Sequence, residues 1–89
     1  MQLVAQHSGK CAEGRNNGSP SVRNQIRQWT CSGGSNQHWS REDMVGGYFR
    51  LRNVDSNLCM DVVGASTNDG ADIQQVACNN TFSQQFCEN

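Results

Sequence analysis

Two stretches of this chain repeat one another at a period of 47 to 48 residues. Leu3, Cys11 and Glu13 recur 48 residues later as Leu51, Cys59 and Asp61, and Ile26, Cys31, Gln37 and Trp39 recur after 47 as Ile73, Cys78, Gln84 and Phe86. One residue of slippage between Glu13 and Ile26 accounts for the difference. A fixed period of this length marks stacked copies of a supersecondary unit that cannot bury its apolar face alone. The chain is therefore expected to be one domain of two repeats, residues 1–43 and 44–89. The link Met44, Val45, Gly46, Gly47 is too short to separate independent domains.

A chain of 89 residues is small, and one of this size buries only about 60% of the surface its unfolded form exposes. Disulfides are the expected support, because four of the five cysteines stand at matching places in the two halves. Four cysteines permit three connectivities; the repeat selects Cys11 with Cys31 and Cys59 with Cys78. Each bond would close a loop of about 20 residues, worth roughly 3 kcal/mol in the chain-entropy model. Zinc is the competing use, but no close Cys-x-x-Cys pair is present, so no metal or cofactor is expected. Cys87 has no counterpart in the first copy, and is expected either free or paired outside the two repeats.

Disulfides point to an oxidising compartment, and so to a secreted protein. No signal peptide is visible at the start, which suggests removal of a leader or a piece of a longer chain. No apolar run reaches transmembrane length. A net charge of −1 with interspersed signs gives no electrostatic reason to bind nucleic acid or an anionic membrane.

Alternating residues and close turn signals predict four short strands per repeat and no helix, an all-β fold. In the first copy these are residues 2–6, a return through Lys10, Cys11 and Ala12 after a Ser8–Gly9 turn, residues 26–31, and a last strand from Gln37. In the second they are residues 48–54, residues 58–62 after a Ser56–Asn57 turn, residues 73–78, and a last strand from Gln84. The polar loops 14–24 and 64–72 carry Asn and Gly and read as turns.

Taken together, Cys59-Met60-Asp61-Val62, then Ile73 through Cys78, then Gln84-Gln85-Phe86 resembles the repeat of ricin-type lectin domains, the Q-x-W or family 13 carbohydrate-binding modules. The first copy carries Cys11-Ala12-Glu13, Ile26 through Cys31, and Asn36-Gln37-His38-Trp39. The resemblance covers nearly all of the chain and implies a β-trefoil, of which two of the usual three repeats are visible. It implies completion by a third repeat, by another segment or chain, or by self-association, with Cys87 as one means. It also implies sugar contacts. A carboxylate and amides would bond the hydroxyls, and an aromatic ring would stack on the sugar's C–H face. Residue by residue, the second copy supplies Asp61, Gln74, Ser83 in place of Asn, and Gln84, with Val76 where the aromatic would stand and Phe82 as a substitute platform. The first copy supplies Glu13, Arg27, Trp29, Asn36 and Gln37.

Each residue also has a plainer reading. Asp61 would serve as a backbone-bonding turn residue, Gln37 and Gln84 as amides that bond backbone within the repeat, and Trp39 and Phe86 as core. Trp29 lies an odd number of residues from Ile26, so it faces outward if Ile26 faces inward. His7 and His38 lack a nucleophile or carboxylate at catalytic spacing and read as surface residues. Glu13 and Asp61 occupy equivalent places on different repeats, too far apart for a glycosidase pair. Asn17-Gly18-Ser19 and Asn79-Asn80-Thr81 match the glycosylation sequon. The expected function is non-enzymatic binding of galactose- or xylose-type sugars, as a module of a secreted protein such as a glycoside hydrolase. The competing classes are a structural or protein-binding trefoil with decayed sites, and a small disulfide-rich toxin or inhibitor.

Overall fold

The computed structural model describes residues 1–14, 24–70 and 72–88. These form six strands: β1 (Cys11–Gly14), β2 (Asn24–Trp29), β3 (Trp39–Asp43), β4 (Phe49–Asn53), β5 (Cys59–Val62) and β6 (Ile73–Val76). Single 3₁₀ turns fall between some of them and after β6, and no α-helix occurs among the described residues. The strands run antiparallel in the order β1-β2-β6-β5-β4-β3. Each repeat contributes a hairpin closed by its disulfide: β1 pairs β2 with Glu13 opposite Arg27, and β5 pairs β6 with Asp61 opposite Gln74. The hairpins meet where Asn24 and Gln25 of β2 pair with Gln75 and Gln74 of β6.

The repeat persists in the hydrogen bonds. Met1 and Trp39 exchange two backbone bonds of 2.9 Å each. At the equivalent place Phe49 and Phe86 exchange bonds of 2.7 and 2.8 Å. The disulfides are Cys11–Cys31 and Cys59–Cys78, with sequence separations of 20 and 19. Cys87 is a free, exposed thiol.

Several boundaries differ from expectation. Residues 2–6 form only a bridge, Val4 to Cys11, because Ala5 turns back early: its amide bonds Lys10 and its carbonyl accepts from Ser8 and Gly9, which has φ +70°. The third strands stop at Trp29 and Val76. The last strand of the first copy starts at Trp39, because Gln37, like Gln84 in the second copy, belongs to a 3₁₀ turn (Ser35–Gln37 and Phe82–Gln84) that points its amide inward. The link at Met44 is the turn of a hairpin between β3 and β4, where Gly46 and Gly47 take the left-handed backbone an L side chain resists. Within the loop from Gly14 to Asn24, residues 15–23, with the sequon at Asn17, lie outside the described residues.

The apolar core is small. Trp39, Phe49 and Leu51 are buried, with Leu3, Ile26, Met60 and Phe86 packed against them. Trp39 buries its whole ring and its indole N–H donates to the Ala12 carbonyl at 3.1 Å, so no polar atom is stranded. Polar groups fill much of the rest. Asn53 has no exposed surface; its carbonyl oxygen accepts from Asp55 and Ser56, and its amide donates to the Asn36 carbonyl across the repeat boundary. Ser56 donates to Gln75 at 2.9 Å, as Ser8 donates to Gln28 in the first copy. Gln75 is sealed and Gln28 exposed, since only Gln75 lies beneath β2 and Gly14.

Candidate functional site

In the second repeat β5 turns Asp61 away from the core-packed Met60, and the turn Phe82–Gln84 folds over it. Gln84 is fully buried and all its amide contacts are internal. Its oxygen accepts from the Asn79 N–H at 2.8 Å, and its nitrogen donates to the Ala77 carbonyl at 3.0 Å and to Asp61 Oδ2 at 3.1 Å. Ser83 donates to the same Oδ2 at 3.3 Å. Asp61 is thus 7% exposed, and one oxygen is held by two donors. Its Oδ1 has no hydrogen-bond partner among the described residues, and it is not among the sealed polar atoms. Gln74, half-buried, stands directly across from Asp61 on β6, on the same face of the sheet.

The first repeat builds the same clamp. Gln37, fully buried, accepts from the Ser32 N–H at 2.8 Å and donates to the Thr30 carbonyl at 2.9 Å and to Glu13 Oε1 at 3.1 Å. The difference lies in the other carboxylate oxygen. Arg27, directly opposite on β2, donates from Nε to Glu13 Oε2 at 2.6 Å, and its guanidinium carbon lies 4.0 Å from the centroid of Trp29. Trp29 is 52% exposed on the face opposite core-packed Ile26. Glu13 is only 5% exposed, so the longer side chain has become the buried half of an ion pair.

The two copies therefore bring together Asp61, Gln74, Ser83 and Gln84 in one place, and Glu13, Arg27, Trp29 and Gln37 in another. Asn36 contributes its carbonyl to Asn53, and its side chain makes no hydrogen bond to Glu13. Phe82 does not join the Asp61 group. It is 87% exposed and lines a separate cleft with Met44, Val45 and Tyr48, because the 3₁₀ turn points successive side chains in different directions. Asn53, Ser56 and Gln75 form the polar framework behind the sites and were not marked out as functional by their types. The spacing carried a signal, since Ser8 and Ser56, and Gln28 and Gln75, recur at the same 48 and 47 residues. No group of three or more metal-ligating side chains occurs among the described residues. No helix there is long and apolar enough to cross a membrane.

Disulfide-stapled hairpins, a carboxylate on one strand and an inward-turned glutamine on a 3₁₀ turn thus recur in both copies. The family model for "Ricin-type beta-trefoil lectin domain-like" matches residues 1–86, and the chain belongs to that family. Its backbone superposes on ThreeFoil, a designed threefold-symmetric protein, with a TM-score of 0.89 and 39% identity, covering 94% of this chain and 59% of that one. The chain thus spans about three fifths of that structure. It is similar to part of 1,3Gal43A, an exo-beta-1,3-galactanase from Clostridium thermocellum, with a TM-score of 0.89 and 29% identity over 97% of this chain and 18% of that one. It is likewise similar to part of the hemolytic lectin CEL-III, with a TM-score of 0.81 and 26% identity over 97% and 19%. No curated protein matches the chain. The lectin family and these neighbours support carbohydrate binding in general.

Proposed function

We propose that the chain is a non-catalytic module that binds neutral galactose- or xylose-type sugars, chiefly through the second repeat, and works as part of a secreted protein. The observation that carries this reading is the state of Asp61. Gln84 and Ser83 hold Oδ2 while Oδ1 accepts from no described residue, which is what a sugar hydroxyl needs from a fixed carboxylate. Gln74 is the amide best placed to bond a neighbouring hydroxyl. Gln84 and Gln37 act behind the carboxylates, since neither has any exposed surface. Val76 leaves the site without a stacking ring, so affinity per site is weak and gains through multivalency.

The repeats 1–43 and 44–89 are read as two thirds of a trefoil completed by a third repeat or by another copy of the chain. The exposure of Gln28, where its counterpart Gln75 is sealed by a neighbouring repeat, supports this reading. Two disulfides support secretion. Likeness to a segment of an exo-beta-1,3-galactanase supports a role beside a glycoside hydrolase. Calorimetric titration with galactose and xylose, on the wild type and on Asp61→Asn, tests the function. Saturable heat that the substitution abolishes while the fold is kept supports it, and heat unchanged by the substitution refutes the assignment to Asp61.

A decayed role is favoured for one site only. In the first repeat each Glu13 oxygen already accepts a hydrogen bond, one of them from the Arg27 cation, so the carboxylate has less to offer a neutral sugar than Asp61 has.

A further inference from the structure

We propose that the first repeat's site has changed ligand class and takes an acidic sugar, with the carboxylate of a hexuronic acid seated on the open edge of the Arg27 guanidinium. This rests on the carbohydrate reading above and names a second ligand for it.

A neutral sugar needs an acceptor for its hydroxyls. Glu13 has less to offer than Asp61: Oε1 accepts from Gln37 and Oε2 from the Arg27 cation, whereas Asp61 Oδ1 accepts from no described residue. The groups that do face outward there are a cation and a ring. Arg27 spends only Nε on Glu13. Its two Nη groups make no hydrogen bond to any described residue, and its side chain is 36% exposed. Those groups form a planar fork whose spacing matches a carboxylate in bidentate fashion.

The fork is also fixed in place. Glu13 anchors it at Nε and the Trp29 ring lies 4.0 Å beneath it. The register of β1 and β2 sets Arg27 directly across from Glu13, and Trp29 two residues on along the same face. A guanidinium held on two sides loses little further rotamer freedom when an anion arrives. The exposed part of Trp29 remains for the C–H face of the sugar. At the Asp61 site the carboxylate instead faces Gln74, which carries no charge. Each repeat thus presents a different polar partner from the same scaffold, an acceptor in the second and a double donor in the first.

Glu13 offsets much of the Arg27 charge, so the attraction is directional and short-ranged rather than a long-range field. Free galacturonic acid therefore distinguishes this site from general attraction to anions, and galactose 6-sulfate distinguishes a carboxylate from a sulfate ester.

The test is titration of the full chain, followed by nitrogen–proton correlation spectra, with galacturonic acid, galactose 6-sulfate and galactose. The proteins are the wild type, Arg27→Gln, Arg27→Lys, the double substitution Glu13→Gln with Arg27→Gln, and Asp61→Asn. Loss of a charge-assisted bidentate contact weakens binding about ten- to a hundredfold. Arg27→Gln is expected to weaken galacturonic acid at the first repeat by that factor and leave galactose unchanged, while Asp61→Asn removes galactose binding and leaves the Arg27-dependent galacturonic acid shifts in place. Arg27→Lys keeps the charge and loses the fork, and should still lose most of the affinity. The double substitution replaces the ion pair by an amide pair, so a loss that persists in it belongs to the ligand contact and not to a stranded Glu13. A sulfated sugar bound in place of the uronic acid, with the same dependence on Arg27, overturns the assignment to a carboxylate. Galacturonic acid that fails to bind, or binds independently of Arg27, while galactose still binds through Asp61, overturns the proposal. Failure of all the sugars overturns the carbohydrate reading itself.

Discussion

Replacing Gln84 with methionine keeps the volume of a fully buried side chain and removes its amide. Three bonds go with it: from the Asn79 N–H at 2.8 Å, to the Ala77 carbonyl at 3.0 Å and to Asp61 at 3.1 Å. A net intramolecular hydrogen bond contributes about 1 kcal/mol, and each partner left unpaired out of water adds to the cost, so the expected loss is about 3 kcal/mol. That is a large share of the roughly 4–13 kcal/mol expected for a domain of 89 residues. With a urea dependence of about 1–3 kcal/mol per molar, the midpoint should fall by about 1 M or more. The assay is urea unfolding followed by tryptophan fluorescence, with the disulfides intact. Gln37→Met removes the equivalent three bonds in the first repeat and should cost a similar amount. A loss below about 0.5 kcal/mol in both variants would refute the claim that these glutamines clamp the carboxylates and loops.

Three further outcomes follow from the same structure. Gln75→Met should be nearly neutral, within about 1 kcal/mol by urea unfolding, because the bond it loses to Ser56 is offset by removal of a buried Nε2 that has no partner. Replacing Cys59 and Cys78 with serine should lower stability by about 3 kcal/mol, the figure for a loop of this length, read as a shift in thermal midpoint. Glu42 accepts bonds from Arg52 and Arg50, which hold its carboxyl below the ordinary 4.5. A depressed folded-state value stabilises the protein above the unfolded pKa, and the contribution is lost as pH falls through the folded one. Glu42→Gln should therefore flatten the acid limb of stability against pH by less than about 1 kcal/mol, the side chain being 35% exposed and screened.

Much of the fold was legible because cysteines, glutamines and aromatics recur at one spacing, and a repeat carries topology with it. The pairing of Cys11 with Cys31 and of Cys59 with Cys78 followed directly. What the pattern hid was the direction of side chains in irregular segments. Gln37 and Gln84 read as strand starts because a glutamine fits a strand or a turn, and only the distant carboxylate it bonds tells the two apart. Gln28 and Gln75 are the same residue at equivalent places, yet a neighbouring strand seals one and leaves the other open. Alternation placed Trp29 on the outer face, but not the guanidinium that lies over its ring. That depends on the Arg27 rotamer, which its bond to Glu13 helps to fix. The carboxylates at Glu13 and Asp61 looked equivalent in the sequence; their second oxygens are not.

The claim that Asp61 binds sugar is tested most directly by a nitrogen–proton correlation titration of the full chain with galactose and xylose. The account predicts saturable shifts centred on Asp61, Gln74 and Ser83 and on the side-chain amide of Gln84, all absent in Asp61→Asn. Shifts confined to other parts of the surface, or none at all with either sugar, would contradict it.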